Sequence, residues 1–222
     1  MAIDYTAHAI NHKDNGTVVL IGSLGTTQEM WEPQVAALSE KYQVITPDVR
    51  GHGDSPIPEG EWDMSHLAAD IIEVLDEEDI DRAHFVGLSL GGAIAQTIAL
   101  EHADRVVSLT LSSTAPKFGT PEAWQEKAQL VRDKGTVALA DTVVRNWFTD
   151  ECFDTTPELA ARFRDMIADC PDDGYIGACG ALSRFDTRER LAEITAPTLV
   201  IAGKQDTSTS LDVVTSLHDG IA

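Results

Sequence analysis

Five short apolar runs that alternate with helix-sized segments constrain the fold of this 222-residue chain more than any other feature. The runs are TVVLIGS (17–23), YQVITPD (42–48), AHFVGLS (83–89), VVSLTLSST (106–114) and TLVIAGK (198–204). Near-continuous apolar strands are typical of a sheet that is buried on both faces. The helical segments 30–40, 65–76 and 91–102 complete a βαβα alternation, which predicts an α/β fold with a mostly parallel, doubly wound sheet.

The alternation breaks between Pro116 and Ile194, where the segments have helical periodicity and no clear strand. We therefore predict a helical cap at 116–194, inserted into an α/β core formed by 1–115 and 195–222. A cap excludes water and shapes a substrate pocket. Trp124, Trp147 and Phe148 are candidates to line that pocket, although aromatic residues in helices more often serve plain packing.

Composition excludes several classes of partner. The chain has 16 Lys and Arg against 37 Asp and Glu, a formal net charge of −21, which disfavours nucleic acid and anionic membranes as partners. No apolar run approaches the roughly 18 residues of a membrane span, and the N-terminus lacks the pattern of a signal peptide, so we expect a cytoplasmic protein. Cys152, Cys170 and Cys179 have neither metal-site nor redox spacing and no HExxH motif occurs, so we expect no metal and no cofactor.

Ser89 is the strongest candidate for a chemically active side chain. It lies in Gly87-Leu88-Ser89-Leu90-Gly91, directly after an apolar strand and before a helix rich in small residues. A sharp strand-to-helix turn of this kind exposes a serine hydroxyl at the end of the sheet, and the glycines remove side chains that would clash across it. The backbone N–H of Leu90, at the helix N-terminus, is then a candidate oxyanion donor. An incidental turn is the alternative.

Two further candidates follow other strands of the sheet. Leu24, in GSLGTTQEMW after the first apolar run, is a candidate for the second oxyanion donor through its backbone N–H. Asp206 follows the last apolar run and is the candidate acid of a catalytic triad, since the expected order is Ser, then Asp or Glu, then His. An ordinary turn aspartate is the alternative at that position. Asp48 and Asp54 precede Ser89 and suit hydrogen bonding within their loop better.

Several motifs together resemble those of α/β-hydrolases of the 3-oxoadipate enol-lactonase group. They are GSLGTTQEMW, DVRGHGDSP, HFVGLSLGG, RNWFT and YIGACGALSRFDTRERLAEITAPTLVIAGKQD, between about Val18 and Asp206. The resemblance implies an eight-stranded sheet with a helical cap, and hydrolysis of an enol-lactone to 3-oxoadipate in aromatic catabolism, the β-ketoadipate pathway. It also implies that Ser89 is the nucleophile, Asp206 the triad acid, and Leu24 and Leu90 the amide donors.

The chain departs from this family after Asp206. Members of the family continue through a helix, another strand and a loop that carries the general-base histidine, whereas this sequence ends at Ala222, so we expect a shortened form of a longer hydrolase. His218 follows in a segment that Thr209 or Ser210 can cap and Gly220 can end. A helix from Ser210 carries His218 roughly 12 Å from its start, so we interpret it as a helix C-terminal histidine. Without the last strand, TLVIAG becomes an apolar sheet edge.

The substrate expected from the resemblance is a small lactone or ester that bears a carboxylate, which needs a cationic partner in so acidic a protein. Arg132, Arg145 and Arg184 in the cap are candidates, although a surface salt bridge is the more frequent fate of such residues. Two alternatives stay open at this point. One is a different carboxylesterase or perhydrolase on the same fold, and the other is a protein that binds a small ligand without turnover, because the triad histidine is absent.

Overall fold

A six-stranded sheet forms the centre of the fold. The structure is a computed structural model that describes residues 2–221, without the side chains of Ile10 and Lys13. The strands are β1 (Tyr5–His8), β2 (Thr17–Ile21), β3 (Gln43–Pro47), β4 (Ala83–Leu88), β5 (Val106–Ser112) and β6 (Thr198–Ile201). Their order is β1-β3-β2-β4-β5-β6, with β1 antiparallel to β3 and every other pair parallel. The predicted doubly wound, mostly parallel sheet is confirmed.

Nine α-helices occur within residues 2–221. They are α1 (Glu32–Leu38), α2 (Met64–Glu77), α3 (Leu90–Glu101), α4 (Pro121–Lys134), α5 (Val137–Trp147), α6 (Asp150–Thr155), α7 (Pro157–Asp169), α8 (Asp172–Arg184) and α9 (Leu211–Gly220). None of the helices in this range is long and apolar enough to cross a membrane. The predicted helix 30–40 begins instead as the 3-10 helix Gln28–Trp31 and continues as α1.

The core lies on both faces of the central strands. Every residue of β2 and β3 is buried, as the near-continuous apolar runs predict. Helix α3 is buried from Leu90 to Ala99, and its small residues let it lie close to the sheet. This burial fixes the N-terminus of α3, and therefore Ser89 before it, at the carboxyl ends of β2 and β4.

Helices α4 to α8 are inserted between β5 and β6, where we predicted a helical cap. Helix α8 meets the loop after β3 backbone to backbone, since a Cβ atom at Gly174 would lie 1.8 Å from the carbonyl oxygen of Gly51. A Cβ atom at Gly177 would lie 2.5 Å from the ring of Trp62. Helix α8 is therefore seated directly on the core, and the proposed boundaries at 116 and 194 enclose the whole helical insertion.

Strand β6 is an edge of the sheet, as we expected for TLVIAG. Leu199 is 57% exposed and Ile201 is 45% exposed, so the edge presents an apolar face. Within residues 2–221 the sheet has six strands instead of the eight that the family resemblance implies. Helix α9 follows β6 and begins after Ser210, which confirms the predicted helix, although the Ser210 side chain makes no capping hydrogen bond.

Candidate active site

Ser89 occupies a strained turn between β4 and α3. Its backbone has φ 54° and ψ −110°, a conformation that non-glycine residues rarely adopt. Two hydrogen bonds hold the turn: the Ser89 N–H donates to the carbonyl oxygen of Ser112 (3.0 Å), and the Thr114 hydroxyl donates to the carbonyl oxygen of Ser89 (2.8 Å). The end of β5 thus supports the geometry that a nucleophilic serine requires in such a turn.

The glycines on either side of Ser89 are required by close backbone contacts. A Cβ atom at Gly87 would lie 2.2 Å from the carbonyl oxygen of Gly91. A Cβ atom at Gly91 would lie 2.1 Å from the carbonyl oxygen of Ile21, at the end of β2. The turn is therefore packed against the loop that follows β2, and neither position has room for a side chain.

The candidate oxyanion donors, Leu90 and Leu24, lie in the two segments that touch between Gly91 and Ile21. Leu90 is the first residue of α3, and the N–H of that position has no partner within the helix. Leu24 lies in a tight turn that is closed by a hydrogen bond from the Thr26 N–H to the carbonyl oxygen of Ser23 (3.2 Å), so closing the turn does not use the Leu24 N–H. Since Gly91 touches the end of β2 just before this turn, the two backbone amides belong to adjacent segments.

Asp48 anchors the far end of the loop that carries Leu24. Its carboxylate accepts a hydrogen bond from the Gln28 N–H (2.6 Å), and it is only 4% exposed. Gly53, with φ 51°, lies so close that a Cβ atom there would be 2.0 Å from the Asp48 carboxylate. Burial raises the pKa of Asp48 to about 6, even though hydrogen bonds from Gln28 and Asp54 lower it. The structure thus bears out the interpretation of Asp48 as a residue of loop hydrogen bonding.

Asp206 lies beyond the end of β6 and faces the end of β5. Its carboxylate accepts hydrogen bonds from the Ser208 N–H (2.8 Å), the Thr209 N–H (2.9 Å) and the Thr209 hydroxyl (2.7 Å), and another from the Ser113 hydroxyl. Burial alone would raise the pKa of Asp206, but these hydrogen bonds outweigh it and hold the pKa below its usual value. Ser113 directly follows the residue that accepts the Ser89 N–H, so Asp206 and Ser89 lie on the same edge of the sheet.

Within residues 2–221, no hydrogen bond joins the Ser89 hydroxyl to a histidine. His218, in the last turn of α9, has a side chain that is 70% exposed, and its Nδ1 lies 2.9 Å from the Asp219 carboxylate. His52 is fully buried, and its Nδ1 donates to the carbonyl oxygen of Arg50 (3.2 Å), while its Nε2 has no partner. Burial lowers the pKa of His52 to about 4, so its ring is neutral at pH 7.

The other candidate binding residues in the inserted helices have contacts of their own. Trp147 packs edge-on against Phe163 inside the bundle, and the Arg145 guanidinium lies 4.0 Å from the ring centroid of Phe153. Trp124 donates its indole N–H to the carbonyl oxygen of Phe118 (2.7 Å) and packs against the core. A substrate-binding role for Trp124, Arg145 and Trp147 stays a prediction.

Cys170 and Cys179 are buried and behave as packing residues. Burial raises the pKa of Cys170 and of Cys179 to about 12, so both thiols are protonated at neutral pH. Among the described residues, no three His, Cys, Asp or Glu side chains are grouped so that they could hold a metal ion.

A cleft of about 650 Å³ separates α7 from the loop that carries Leu24. It touches that loop at Gly25 and Thr26 but is not lined by Ser89. Its charged lining is mostly acidic, with Arg162 as its cation, and the Arg162 guanidinium is held by Glu32 at 2.6 Å. This cleft is a poor place for an anionic group to bind.

Sequence reasoning did not single out Lys127, which contacts an aromatic ring of its own helix. This lysine lies one helical turn after Trp124 on α4, and its Nζ lies 4.6 Å from the centroid of the Trp124 ring. The W-x-x-K spacing is visible in the sequence, but the burial of the lysine depends on how α8 packs against α4.

Comparisons with known proteins agree with this geometry. Residues 16–220 match the model of the alpha/beta hydrolase fold family. The chain is 39% identical over 212 residues to 3-oxoadipate enol-lactonase 1 of Acinetobacter baylyi, covering 95% of this chain and 77% of that relative. It superposes on the crystal structure of the enol-lactonase from Burkholderia xenovorans LB400 with a TM-score of 0.96 and 37% identity, over 99% of this chain and 85% of that one. A thermophilic esterase from Thermogutta terrifontis with malate bound gives a TM-score of 0.91 at 25% identity, over 99% and 81% of the two chains.

Proposed function

Since the chain belongs to the α/β-hydrolase family, we propose that it hydrolyses a small lactone or carboxylic ester through an acyl-serine intermediate on Ser89. The observation that carries this proposal is the strained backbone of Ser89 between two glycines that allow no side chain. Such a turn has an energetic cost, and its use is to present a hydroxyl beside backbone amides at the end of a sheet.

In the proposed reaction, the Ser89 oxygen attacks the carbonyl carbon of the substrate while its proton passes to a base. The backbone N–H groups of Leu24 and Leu90 hydrogen-bond the oxyanion of the tetrahedral intermediate. The bond to the leaving oxygen then breaks, which opens a lactone ring and leaves the acyl group on Ser89. Water hydrolyses this ester and restores the serine. In this proposal Asp206, which hydrogen bonds keep ionised, orients an imidazole base.

As the substrate we propose 3-oxoadipate enol-lactone, which the reaction converts to 3-oxoadipate. Support comes from a relative and a solved structure that are both called enol-lactonases, at 39% and 37% identity. An enolate is a good leaving group, so ring opening demands little of a general acid. The substrate carries a free carboxylate, and its conversion belongs to aromatic catabolism in the cytoplasm.

A second candidate is a different carboxylic ester. The similarity to the esterase from Thermogutta terrifontis favours it, because the same fold supports ester hydrolysis there. A panel of esters and lactones, with the enol-lactone among them, separates the two by their relative kcat/KM values.

The experiment that tests the proposal measures ring opening of the enol-lactone by the 222-residue protein, by Ser89→Ala and by Ser216→Ala. Ser216 is a matched control, because its hydroxyl bonds only within α9, to Val213. We expect turnover in the parent and in Ser216→Ala, loss of turnover in Ser89→Ala, and an acyl adduct on Ser89 by mass spectrometry.

Equal background rates in three folded proteins would contradict hydrolysis by this chain. If the product also bound Ser89→Ala and the parent equally well, and no acyl adduct formed, the protein would be a ligand-binding member of the family instead.

A further inference from the structure

Lys127 is a half-buried cation without an anionic partner. It lies on α4, and within residues 2–221 its side chain forms no salt bridge and no hydrogen bond. Its contacts are the face of the Trp124 ring, at 4.6 Å from the centroid, and the neighbourhood of the Cys179 thiol on α8. Removing an ammonium group from water without a counter-ion costs free energy, and a bound anion would offset that cost.

The electrostatic surroundings of Lys127 supply no compensating charge. Burial lowers the pKa of Lys127, and the Cys179 thiol, whose pKa burial raises to about 12, is neutral. The Trp124 ring offers a cation–π contact, which stabilises an ammonium group only partly. An anion bound beside Lys127 would favour its charged form.

Two chains of contacts connect Lys127 with the two segments that flank Ser89. The first starts at Thr114, which bonds the Ser89 carbonyl, and leads along the segment after β5 to Phe118, which accepts the indole N–H of Trp124. The second starts at Gly25, next to the candidate donor Leu24. A Cβ atom there would lie 3.2 Å from the Tyr175 ring on α8.

Cys179 lies one turn after Tyr175 on the same helix face, and Lys127 lies beside Cys179. Both chains of contacts, one from the serine and one from the oxyanion loop, therefore meet at Lys127.

Four arginines of the inserted helices are engaged elsewhere. The guanidinium of Arg132 bonds Gln129, that of Arg145 stacks on Phe153, and that of Arg184 bonds the Trp62 carbonyl and lies near Glu61. Arg162 borders the acidic cleft and is paired with Glu32. Lys204, two residues before Asp206, is exposed to solvent, whereas Lys127 is a half-buried cation of the inserted helices that no carboxylate of residues 2–221 pairs with.

We propose that the Lys127 ammonium group binds the free carboxylate of the substrate, with the Trp124 ring as the floor of this subsite. The inference rests on the proposed function, which requires a carboxylate-bearing substrate. A carboxylate held at Lys127 orients the other end of a small lactone toward Ser89 and the two backbone amides. Lys127 is thus a specificity-determining residue that separates acidic substrates from neutral esters.

Binding of a stable ligand tests this without catalysis. The probe is adipate, a six-carbon dicarboxylate like the proposed product, and its neutral counterpart is dimethyl adipate. Both are titrated at low ionic strength into the parent protein, Lys127→Met, Lys127→Arg and Lys134→Met. The last variant removes one exposed positive charge from the same helix and is the matched control.

We expect Lys127→Met to weaken adipate binding by about tenfold or more, as the loss of a charge-assisted hydrogen bond predicts. We expect adipate binding to Lys127→Arg and Lys134→Met to stay near that of the parent, and dimethyl adipate to bind all four proteins alike. The Lys127 ammonium resonance should titrate at higher pH when adipate is bound. The melting temperature of Lys127→Met should not fall, because the substitution removes a half-buried charge that has no ion pair.

Adipate binding to Lys127→Met that equals binding to the parent would overturn the proposal, and so would a parent that does not bind adipate. In the latter case, hydrolysis that depends on Ser89 would still support the proposed function. Conversely, adipate binding that depends on Lys127 in a protein without Ser89-dependent turnover would support the subsite and contradict the proposed function.

Discussion

The hydroxyl of Thr114 donates a 2.8 Å hydrogen bond to the carbonyl oxygen of Ser89, so the second residue after β5 holds the turn that presents the candidate nucleophile. Thr114 is completely buried. We expect Thr114→Val, which keeps the shape and removes the donor, to lower the free energy of unfolding by about 1–2 kcal/mol. Urea unfolding measures this.

Thr110→Val in β5 is the control for that substitution, since the Thr110 side chain makes no hydrogen bond within residues 2–221. It should change stability by less than about 0.5 kcal/mol. Equal losses in the two variants would show that the hydrogen bond to Ser89 contributes nothing.

Two glycines of α8 should respond in opposite directions to the same substitution. Gly177→Ala places a methyl group 2.5 Å from the Trp62 ring, which has to move, whereas Gly180→Ala meets only the end of the Arg184 side chain at 3.8 Å. We expect Gly177→Ala to destabilise the protein by about 1–3 kcal/mol. Gly180→Ala should leave stability unchanged or raise it by up to about 1 kcal/mol, because alanine favours the helix. The midpoints of thermal unfolding test this pair, and a similar loss in both would contradict the packing of α8 on Trp62.

The raised pKa of Asp48 predicts a pH dependence of stability. Its pKa is about 6 in the folded protein against 3.8 as the ordinary value, so the folded state binds more protons than the unfolded state between these limits. The contribution of this group to stability is therefore fully present below pH 4 and is lost as the pH rises through 6. We therefore expect the parent to gain stability relative to Asp48→Asn as the pH falls. The gain in unfolding free energy should be on the order of 1–3 kcal/mol between pH 7 and pH 4.

The other carboxylates titrate in both proteins, so their contribution to the pH dependence of the unfolding free energy cancels in the difference between the parent and Asp48→Asn. A difference that stays constant from pH 7 to pH 4 would mean that Asp48 has an ordinary pKa in the folded protein.

The exposed edge of β6 should promote self-association. Leu199 is 57% exposed on this edge, and Ile57, which is 44% exposed in the loop after β3, offers a control away from the sheet. We expect Leu199→Lys to reduce light scattering at high protein concentration, with a change in stability within about 0.5 kcal/mol. Ile57→Lys should leave the scattering unchanged. Equal effects of the two substitutions would indicate that added charge, and not the sheet edge, controls association.

The sequence predicted the elements whose pattern is local and strong. The five parallel strands are apolar runs, so the sheet could be predicted. The Gly87-Leu88-Ser89-Leu90-Gly91 pattern predicts the turn before α3, so the place of Ser89 could be predicted as well. Strand β1 was missed because YTAH is short and half-exposed and pairs with β3 alone, at the edge of the sheet. Helix α6 was missed because six residues are too few for a helical period to stand out.

A candidate site residue could be predicted from the sequence where it directly follows a predicted strand. Ser89, Leu24 and Asp206 could be placed at one sheet edge by topology. Lys127 could not, because its burial depends on the packing of α8 against α4, which connects residues about fifty positions apart. The sequence drew attention to arginines instead, and it gives no sign that Arg145 stacks on a phenylalanine of its own helical bundle.

The contact between Gly51 and Gly174 limits how the entrance to the serine can open. Backbone lies directly on backbone there, so no side-chain rotation can loosen the contact. Helix α4 packs along α8, so the position of Lys127 relative to the sheet depends on the same contact. A motion that displaced α8 from the core would have to separate two backbone segments, whereas α5, α6 and α7 lie outside this contact.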